Sequence, residues 1–354
     1  MQGTAKPKGL AKVWREIKRP FQKIPRILGA LCRGLTLTEY DELQRFNEWR
    51  SFLNDERLYT FCPPQEKKEL FTKYVNLIEI EVFSLCNRKC WFCPNSYIDR
   101  HSENSLMPPE VFSKVIGELE EVGYSGNLGF HRFNEPFADR ITLERICEAR
   151  KKLPQATLYT NSNGDYLTRE YLDEIADAGL DRIWIMRYPP GKNEYSAEES
   201  NEALRSFASK MDLPIEEQRT MYLKLRHPVM NIEVCSTDPR SFVRSRAGTI
   251  TTTTFKSRTS TCLAPFLHMY IDYNGSVMPC CNMRSDVPQH TEMIMGNCAK
   301  ESLFEIYTNT RYSLLRYQMR DIGYKVYPCN VCDFEHYSFS LNNPDAGECS
   351  MKMV

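Results

Sequence analysis

The stretch "LIEIEVFSLCNRKCWFCPNS", residues 77–96, joins an alternating apolar run to three cysteines at C-x3-C-x2-C spacing. Alternation of Ile78, Ile80 and Val82 with acids and other residues is the period-two signature of a strand whose two faces meet different surroundings. The loop that follows brings Cys86, Cys90 and Cys93 together, and no histidine follows within the usual few residues. Structural zinc closes a tetrahedron with four donors, usually from two C-x2-C pairs. Three thiolates also make a poor Lewis acid for catalytic zinc. An iron–sulfur cluster on three thiolates instead keeps one iron open to a further ligand. A loop leaving the first strand of an α/β unit lies at the C-terminal edge of the sheet, where such folds put their chemistry.

Composition narrows the class. The chain has 354 residues, 42% of them hydrophobic, ample for a core and for more than one packed unit. A formal net charge of zero offers no field for a polyanion, so no nucleic-acid partner is expected. No apolar run has the length of a membrane span, and no secretory pattern is seen, so a cytoplasmic protein is expected. The fourteen cysteines are clustered in a long chain, which points to thiolate–metal chemistry over a disulfide framework.

Four regions are expected. Residues 1–76 open the chain; the first 35 carry nine Lys or Arg against the single acid Glu16, with apolar residues at helical spacing. That basic helical segment either packs on its own catalytic domain or docks on a membrane surface or a protein partner. Residues 77–236 alternate short strands (Leu77–Phe83, Asn127–His131, Ala156–Asn161, Arg182–Arg187, Thr220–Arg226, Asn231–Cys235) with helices (Pro109–Val122, Ile141–Lys152, Thr168–Ala178, Ala197–Met211). The pattern predicts an α/β fold with a parallel sheet or partial barrel. Residues 237–261 are polar and weakly patterned, a linking loop. In 262–354, "FLHMYIDYNGSVMPCC" is a strand, an Asn-Gly turn and a second strand, a hairpin pattern, and 302–319 reads as helical.

"CNRKCWFC" resembles the cluster loop of the radical S-adenosylmethionine (SAM) enzymes. The resemblance implies a partial (β/α)6 barrel and a [4Fe–4S] cluster whose open iron binds SAM. It implies reductive cleavage to a 5′-deoxyadenosyl radical, and an external electron donor of the flavodoxin or ferredoxin type. It assigns Phe92 to covering the cluster. "HRFNEPFAD" (131–139) resembles the segment that meets the SAM amino group, giving Asn134, Glu135 and Pro136, although Asn134 stands where glycine is usual. "YTNSNGDYL" (159–167) resembles the strand end that reaches the ribose, giving Ser162 and Asn163. Arg187, closing "RIWIMRY", is expected near the SAM carboxylate or the substrate. His131, at a strand end near the active face, reads as a packing histidine, with contact to the substrate as the alternative.

A second cysteine set lies in the C-terminal region. Cys262, twelve residues, Gly275, four residues and Cys280, then Cys329 and Cys332 in "CNVC", offer a closed four-thiolate site. Spacing alone admits zinc or iron–sulfur, and either Cys280 or Cys281. The resemblance extends to the SPASM and Twitch domains of the same family and implies one auxiliary [4Fe–4S] cluster. Only Cys349 follows the C-x2-C pair, which fits the shorter Twitch form.

The layout resembles Twitch dehydrogenases of aminocyclitols. It implies oxidation or epimerisation of a sugar, aminocyclitol or glycoconjugate carbon. Arg246, in "RSRAG", is expected to face the substrate as base or hydrogen-bonding partner, and its fixed charge favours anchoring. Epimerisation needs a hydrogen-atom donor, for which Cys281, Cys298 and Cys235 are the candidate thiols; Cys32, Cys62, Cys147 and Cys235 are expected to be buried as small hydrophobes. The alternatives are modification of a peptide or protein and, remotely, a non-catalytic thiolate–metal scaffold.

Overall fold

The computed structural model describes residues 52–188, 196–238, 240, 243–251 and 257–334. The chain divides into two units, 1–56 and 57–354. Residues 1–51 of the segment expected over 1–76, with its basic first 35 residues, and the positions Cys32 and Cys349 lie outside the described residues.

The second unit is built on a ten-stranded sheet. After α1 (Lys67–Tyr74) come β1 (Leu77–Ile80), α2 (Pro109–Glu121), β2 (Asn127–Gly129), α3 (Ile141–Lys152), β3 (Thr157–Ser162), α4 (Arg169–Asp177), β4 (Arg182–Met186) and α5 (Ala197–Lys210). Next are β5 (Ile215–Arg219), β6 (Tyr222–Leu225) and β7 (Asn231–Cys235). The C-terminal region adds α6 (Ala264–Leu267), β8 (His268–Ile271), β9 (Ser276–Met278), β10 (Gly296–Asn297), α7 (Leu303–Tyr307) and α8 (Thr310–Met319). Sheet order is β10-β9-β8-β1-β2-β3-β4-β7-β6-β5.

The strands β8, β1, β2, β3, β4 and β7 run parallel, so a C-terminal strand supplies the sixth parallel member of the partial barrel. Thr220–Arg226, expected within the strand–helix alternation, forms β6 and runs antiparallel to both β5 and β7. Its connection to β5 is a tight turn through Met221 at φ 57°, too short for the crossover a parallel pair requires. The expected helix over 302–319 is two helices. Asn309 caps the second through Tyr312 N at 3.0 Å, and Ser302 and Glu305 form a capping box on the first.

Register divides the barrel strands by face. Ile78, Leu128 and Leu158 are paired neighbours, each fully buried, and with Val115, Ile146 and Ile175 of the helices they form the core. On the other face Glu79 pairs with Gly129, which pairs with Tyr159. A Cβ on Gly129 would stand 2.9 Å from the Tyr159 ring and 3.1 Å from Glu79 Cγ, so only glycine lets those side chains meet. The Asn274-Gly275 turn forms as expected, with Gly275 at φ 79°, and connects β8 to β9.

Candidate active site

The strand ends β1 to β4, with the linking loop and the segment after β9, enclose a cavity of about 280 Å³. Cys86, Cys90 and Cys93 line one part of it. Their loop is tied down at several points. Cys86 N donates to Arg100 O at 2.9 Å, Cys93 N to Cys90 O at 2.9 Å, and Ser96 Oγ to Cys90 O at 2.6 Å. Asn87 and Arg88, between the cysteines, both donate to Asp165, which anchors the loop to the end of β3. Among the described residues no three Cys, His, Asp or Glu side chains are drawn to metal-ligand distance; the three thiols share a cavity instead.

The donor set fits a cluster. Burial, with the neighbouring thiolates, pushes Cys86 up to about 11 and Cys90 to about 12. Such thiols give up their protons only to a cationic centre, the condition that iron meets. Phe92 is buried beside them and packs on Tyr188 at 4.7 Å between ring centroids.

The segment after β2 closes the next side. Glu135 is 2% exposed; Ser162 Oγ donates to its Oε1 at 2.6 Å and Asn163 N to its Oε2 at 2.7 Å. Burial raises its pKa against those hydrogen bonds. Phe137 N also donates to Oε1 at 3.4 Å, so both carboxylate oxygens are engaged within the protein and Oε2 keeps a lone pair for a ligand. Asn134 accepts from Arg132 N and leaves its buried Nδ2 without a partner, on the cavity wall. Ser162 and Asn163 also line the cavity. Pro136 does not; its carbonyl accepts from Thr142 Oγ1 at 2.5 Å, shaping the start of α3. Arg187 does not either. It donates to Asn163 O at 2.7 Å, pairs with Asp165 at 3.2 Å and lies over Phe207, so it braces the β3 end from outside.

The cavity is also lined by groups that the sequence reading missed or underrated. Glu79 Oε1 accepts from Tyr159 OH at 3.0 Å and lies 3.5 Å from His131 Nε2. His131 packs edge-on to Tyr159, as expected of a packing histidine, and it also faces the cavity with Nδ1 unpartnered. Burial lowers its pKa, favouring the neutral ring. Arg132 pairs with Asp272 at 2.6 Å. The two acids at period two in "LIEIEVF" were the available signal for Glu79. Arg246 lines the cavity, donates to Asn282 Oδ1 at 3.2 Å and has its Nε unpartnered.

Cys262, Cys280, Cys329 and Cys332 line a second, smaller cavity. Arg258 Nη1 lies 3.8 Å from Cys332 Sγ. Burial opposes the charge of Arg258, but the thiolates of Cys262, Cys332 and Cys329 outweigh it and raise its pKa. Lys325 is 1% exposed near Cys262 and Cys329. Buried cations around four thiols suit the net negative charge of a thiolate-ligated cluster. Cys281 turns the other way, into the larger cavity. Cys62, Cys235 and Cys298 are buried, whereas Cys147 is part-exposed on α3.

Residues 80–186 match the radical SAM superfamily model, and residues 262–333 match the SPASM iron–sulfur cluster-binding domain. The chain belongs to the radical SAM enzymes. This radical SAM enzyme carries a SAM-binding [4Fe–4S] cluster and an auxiliary iron–sulfur cluster. It is similar to the S-adenosyl-L-methionine-dependent 2-deoxy-scyllo-inosamine dehydrogenase of Niallia circulans, at 22% identity over 250 residues, covering 70% of this chain and 88% of that one. It is also similar to the PqqA peptide cyclase of Bradyrhizobium diazoefficiens, at 32% over 114 residues, 30% of this chain and 27% of that one. Among solved structures, BtrN in complex with AdoMet and 2-DOIA superposes with a TM-score of 0.55 at 20% identity, covering 73% of this chain and 93% of that chain. Among the described residues no helix is long and apolar enough to cross a membrane.

Proposed function

We propose that this enzyme removes a hydrogen atom from a hydroxyl-bearing ring carbon of a sugar, aminocyclitol or glycoconjugate, for net oxidation or epimerisation. The observation that carries the reading is the polar end of the cavity, where Glu79, His131, Arg132 and Arg246 converge. Such a wall suits a polyol, whose hydroxyls both donate and accept. The 2-deoxy-scyllo-inosamine dehydrogenase, nearly nine-tenths of whose length is matched, bears a name of the same substrate class.

Cys86, Cys90 and Cys93 hold the first cluster, and Cys262, Cys280, Cys329 and Cys332 the auxiliary one. With SAM bound, the first cluster would supply hydrogen-atom abstraction, its electron coming from a low-potential flavodoxin or ferredoxin. Glu135, fixed by Ser162 and Asn163, holds the SAM ammonium, and the free amide of Asn134 donates to the same ligand. Phe92 keeps water from the thiolates. Arg246 stays protonated and fixes a substrate oxygen by donating to it. That leaves Glu79, with neutral His131 beside it, as the acceptor for a hydroxyl proton. The second cavity has four thiols and no open position, which suits electron transfer better than substrate binding.

The test uses the iron-replete enzyme with SAM, dithionite and ring-deuterated 2-deoxy-scyllo-inosamine, glucosamine or N-acetylglucosamine. Deuterium should pass from one of these into 5′-deoxyadenosine. If 5′-deoxyadenosine forms without label from any of them, the polyol reading fails.

A further inference from the structure

We propose that Arg284, in the C-terminal region, tunes the reduction potential of the three-cysteine cluster by holding the side-chain amide of Asn95 with an N–H towards the Cys86 sulfur. The inference rests on the placement of the first cluster at Cys86, Cys90 and Cys93. Asn95 lies two residues past Cys93, in the short turn Pro94–Ser96, and lines the same cavity as the three cysteines. The residue is buried; its Nδ2 donates to Phe133 O at 2.7 Å, and its Oδ1 accepts from Arg284 Nη1 at 2.8 Å. Burial pushes the Cys86 thiol up, and hydrogen bonds from the Arg88 backbone and the Asn95 side chain act against that rise. One amide hydrogen of Asn95 thus serves Phe133 and the other the sulfur.

Arg284 decides which way that amide turns. A guanidinium has donors and no acceptor, so Asn95 meets it only through Oδ1, and the NH2 group then has to face Cys86 and Phe133 O. Turned round, the amide would set N–H groups against a cation and a carbonyl lone pair against a thiolate. Arg284 is itself fully buried and fixed on several sides. Its Nε and Nη2 donate to the two oxygens of Asp286 at 2.7 Å each, and its backbone N–H donates to His290 Nδ1 at 3.1 Å. Its Cζ lies 4.6 Å from the Phe133 ring centroid, while Phe133 N donates to Glu81 Oε1 at 2.9 Å. The segment that leads into Asn134 and Glu135 is therefore clamped by the same pair. Arg284 and Asn95 are 189 positions apart in sequence, so the region of the auxiliary cysteines orders a donor at the other cluster.

The step affected is the entry of one electron from the low-potential carrier, which is oxidised as the cluster is reduced. The added negative charge spreads over the irons and their sulfur ligands, so an N–H donated to a ligand sulfur stabilises the reduced state and raises the potential. No bond breaks and no proton moves; the hydrogen stays on the Asn95 nitrogen. The guanidinium charge is already matched by the Asp286 carboxylate, which Arg100 Nε also holds at 2.8 Å. Arg284 is thus a positioning residue that acts through Asn95, and its own charge contributes little at the cluster.

The experiment is a reductive titration of the iron-replete enzyme followed by electron paramagnetic resonance, with no substrate present. The signal that Cys86→Ala, Cys90→Ala, Cys93→Ala together abolish belongs to the first cluster, and the remaining signal is the internal reference. In Asn95→Leu the first midpoint should fall by at least about 59 mV, the equivalent of a tenfold change in a one-electron equilibrium, and the reference should not move. Arg284→Met should give a fall of similar size, and none when added to Asn95→Leu, since the two residues act in one chain. Iron should stay at about eight per chain in each variant. Where either variant binds less, Asn95→Asp is read in its place: it keeps an acceptor for Arg284, lacks both N–H groups and should show the fall. An unchanged first midpoint in Asn95→Leu or Asn95→Asp would overturn the proposal. So would an equal fall from Arg284→Met with and without Asn95, which assigns the effect to charge alone. If the triple variant abolishes no signal, the placement of the first cluster fails, and this inference with it.

Discussion

Arg246 occupies backbone that side chains seldom adopt, at φ 47°, with Ala247 at 51° and Gly248 at 85° after it. Left-handed backbone costs on the order of 1–3 kcal/mol at each of the non-glycine residues Arg246 and Ala247, so the turn persists only because its surroundings hold it. They do so through His290, whose Nε2 pairs with Ala247 O at 2.9 Å, and through Asn282, which accepts from the guanidinium. Lysine keeps the charge at this position but not the planar fork. Arg246→Lys should lower kcat/KM about 30-fold, the equivalent of about 2 kcal/mol for a charged hydrogen bond, with iron content unchanged. Unchanged steady-state kinetics would remove Arg246 from the substrate's contacts. Much of the site was legible at this scale, because cysteine spacing and the "NEP" and "NSN" segments keep their chemistry wherever the strand ends. Glu79 was hidden among the alternating residues of β1, since alternation says which residues share a face and not which face is wet. The opposed directions of Cys280 and Cys281 depend on the turn after β9, which their sequence adjacency does not encode.

Among the elements, buried charges weld the two cysteine regions together. Glu81, at the end of β1, pairs with Arg100 at 3.2 Å; Arg100 pairs with Asp286 at 2.8 Å, and Asp286 with Arg284 at 2.7 Å. Arg284 then reaches Asn95 Oδ1 at 2.8 Å, in the turn just past Cys93. Burial works against the charge of Asp286, but hydrogen bonds and charge from Arg284 and Arg100 outweigh it and bring the carboxyl down to about 2. Because this lies below the value of about 3.9 for an unfolded aspartate, the stabilisation is fully present above pH 4 and fades as pH falls towards 2. Asp286→Asn should cost on the order of 2 kcal/mol at pH 7, read from urea midpoints, and the gap from the parent should narrow below pH 4. A gap independent of pH would mean that the carboxylate's charge does not matter there. The parallel strands were legible because β-branched runs bounded by helix caps are local signals. The direction of Tyr222–Leu225 was not, because it follows from the tight turn before it. Nor could the sequence show that His268–Ile271 joins β1, a pairing made across nearly 200 residues of chain.

At the scale of the whole molecule, the parallel sheet is the device that carries the three-cysteine loop and the segment with Cys280 and Cys281, which line two different cavities. Its sixth parallel strand, β8, comes from the C-terminal region, so the segment with Cys280 and Cys281 leaves the same sheet that carries the three-cysteine loop. The central claim is that this loop holds a cluster with one iron left for SAM. Mössbauer spectra of chain reconstituted with iron-57, taken before and after SAM is added, test it most directly. The account predicts about eight irons per chain, of which one changes its signal when SAM binds, with about four unresponsive irons in the Cys86→Ala, Cys90→Ala, Cys93→Ala triple variant. A spectrum indifferent to SAM, or zinc in place of iron at the three thiols, would contradict it.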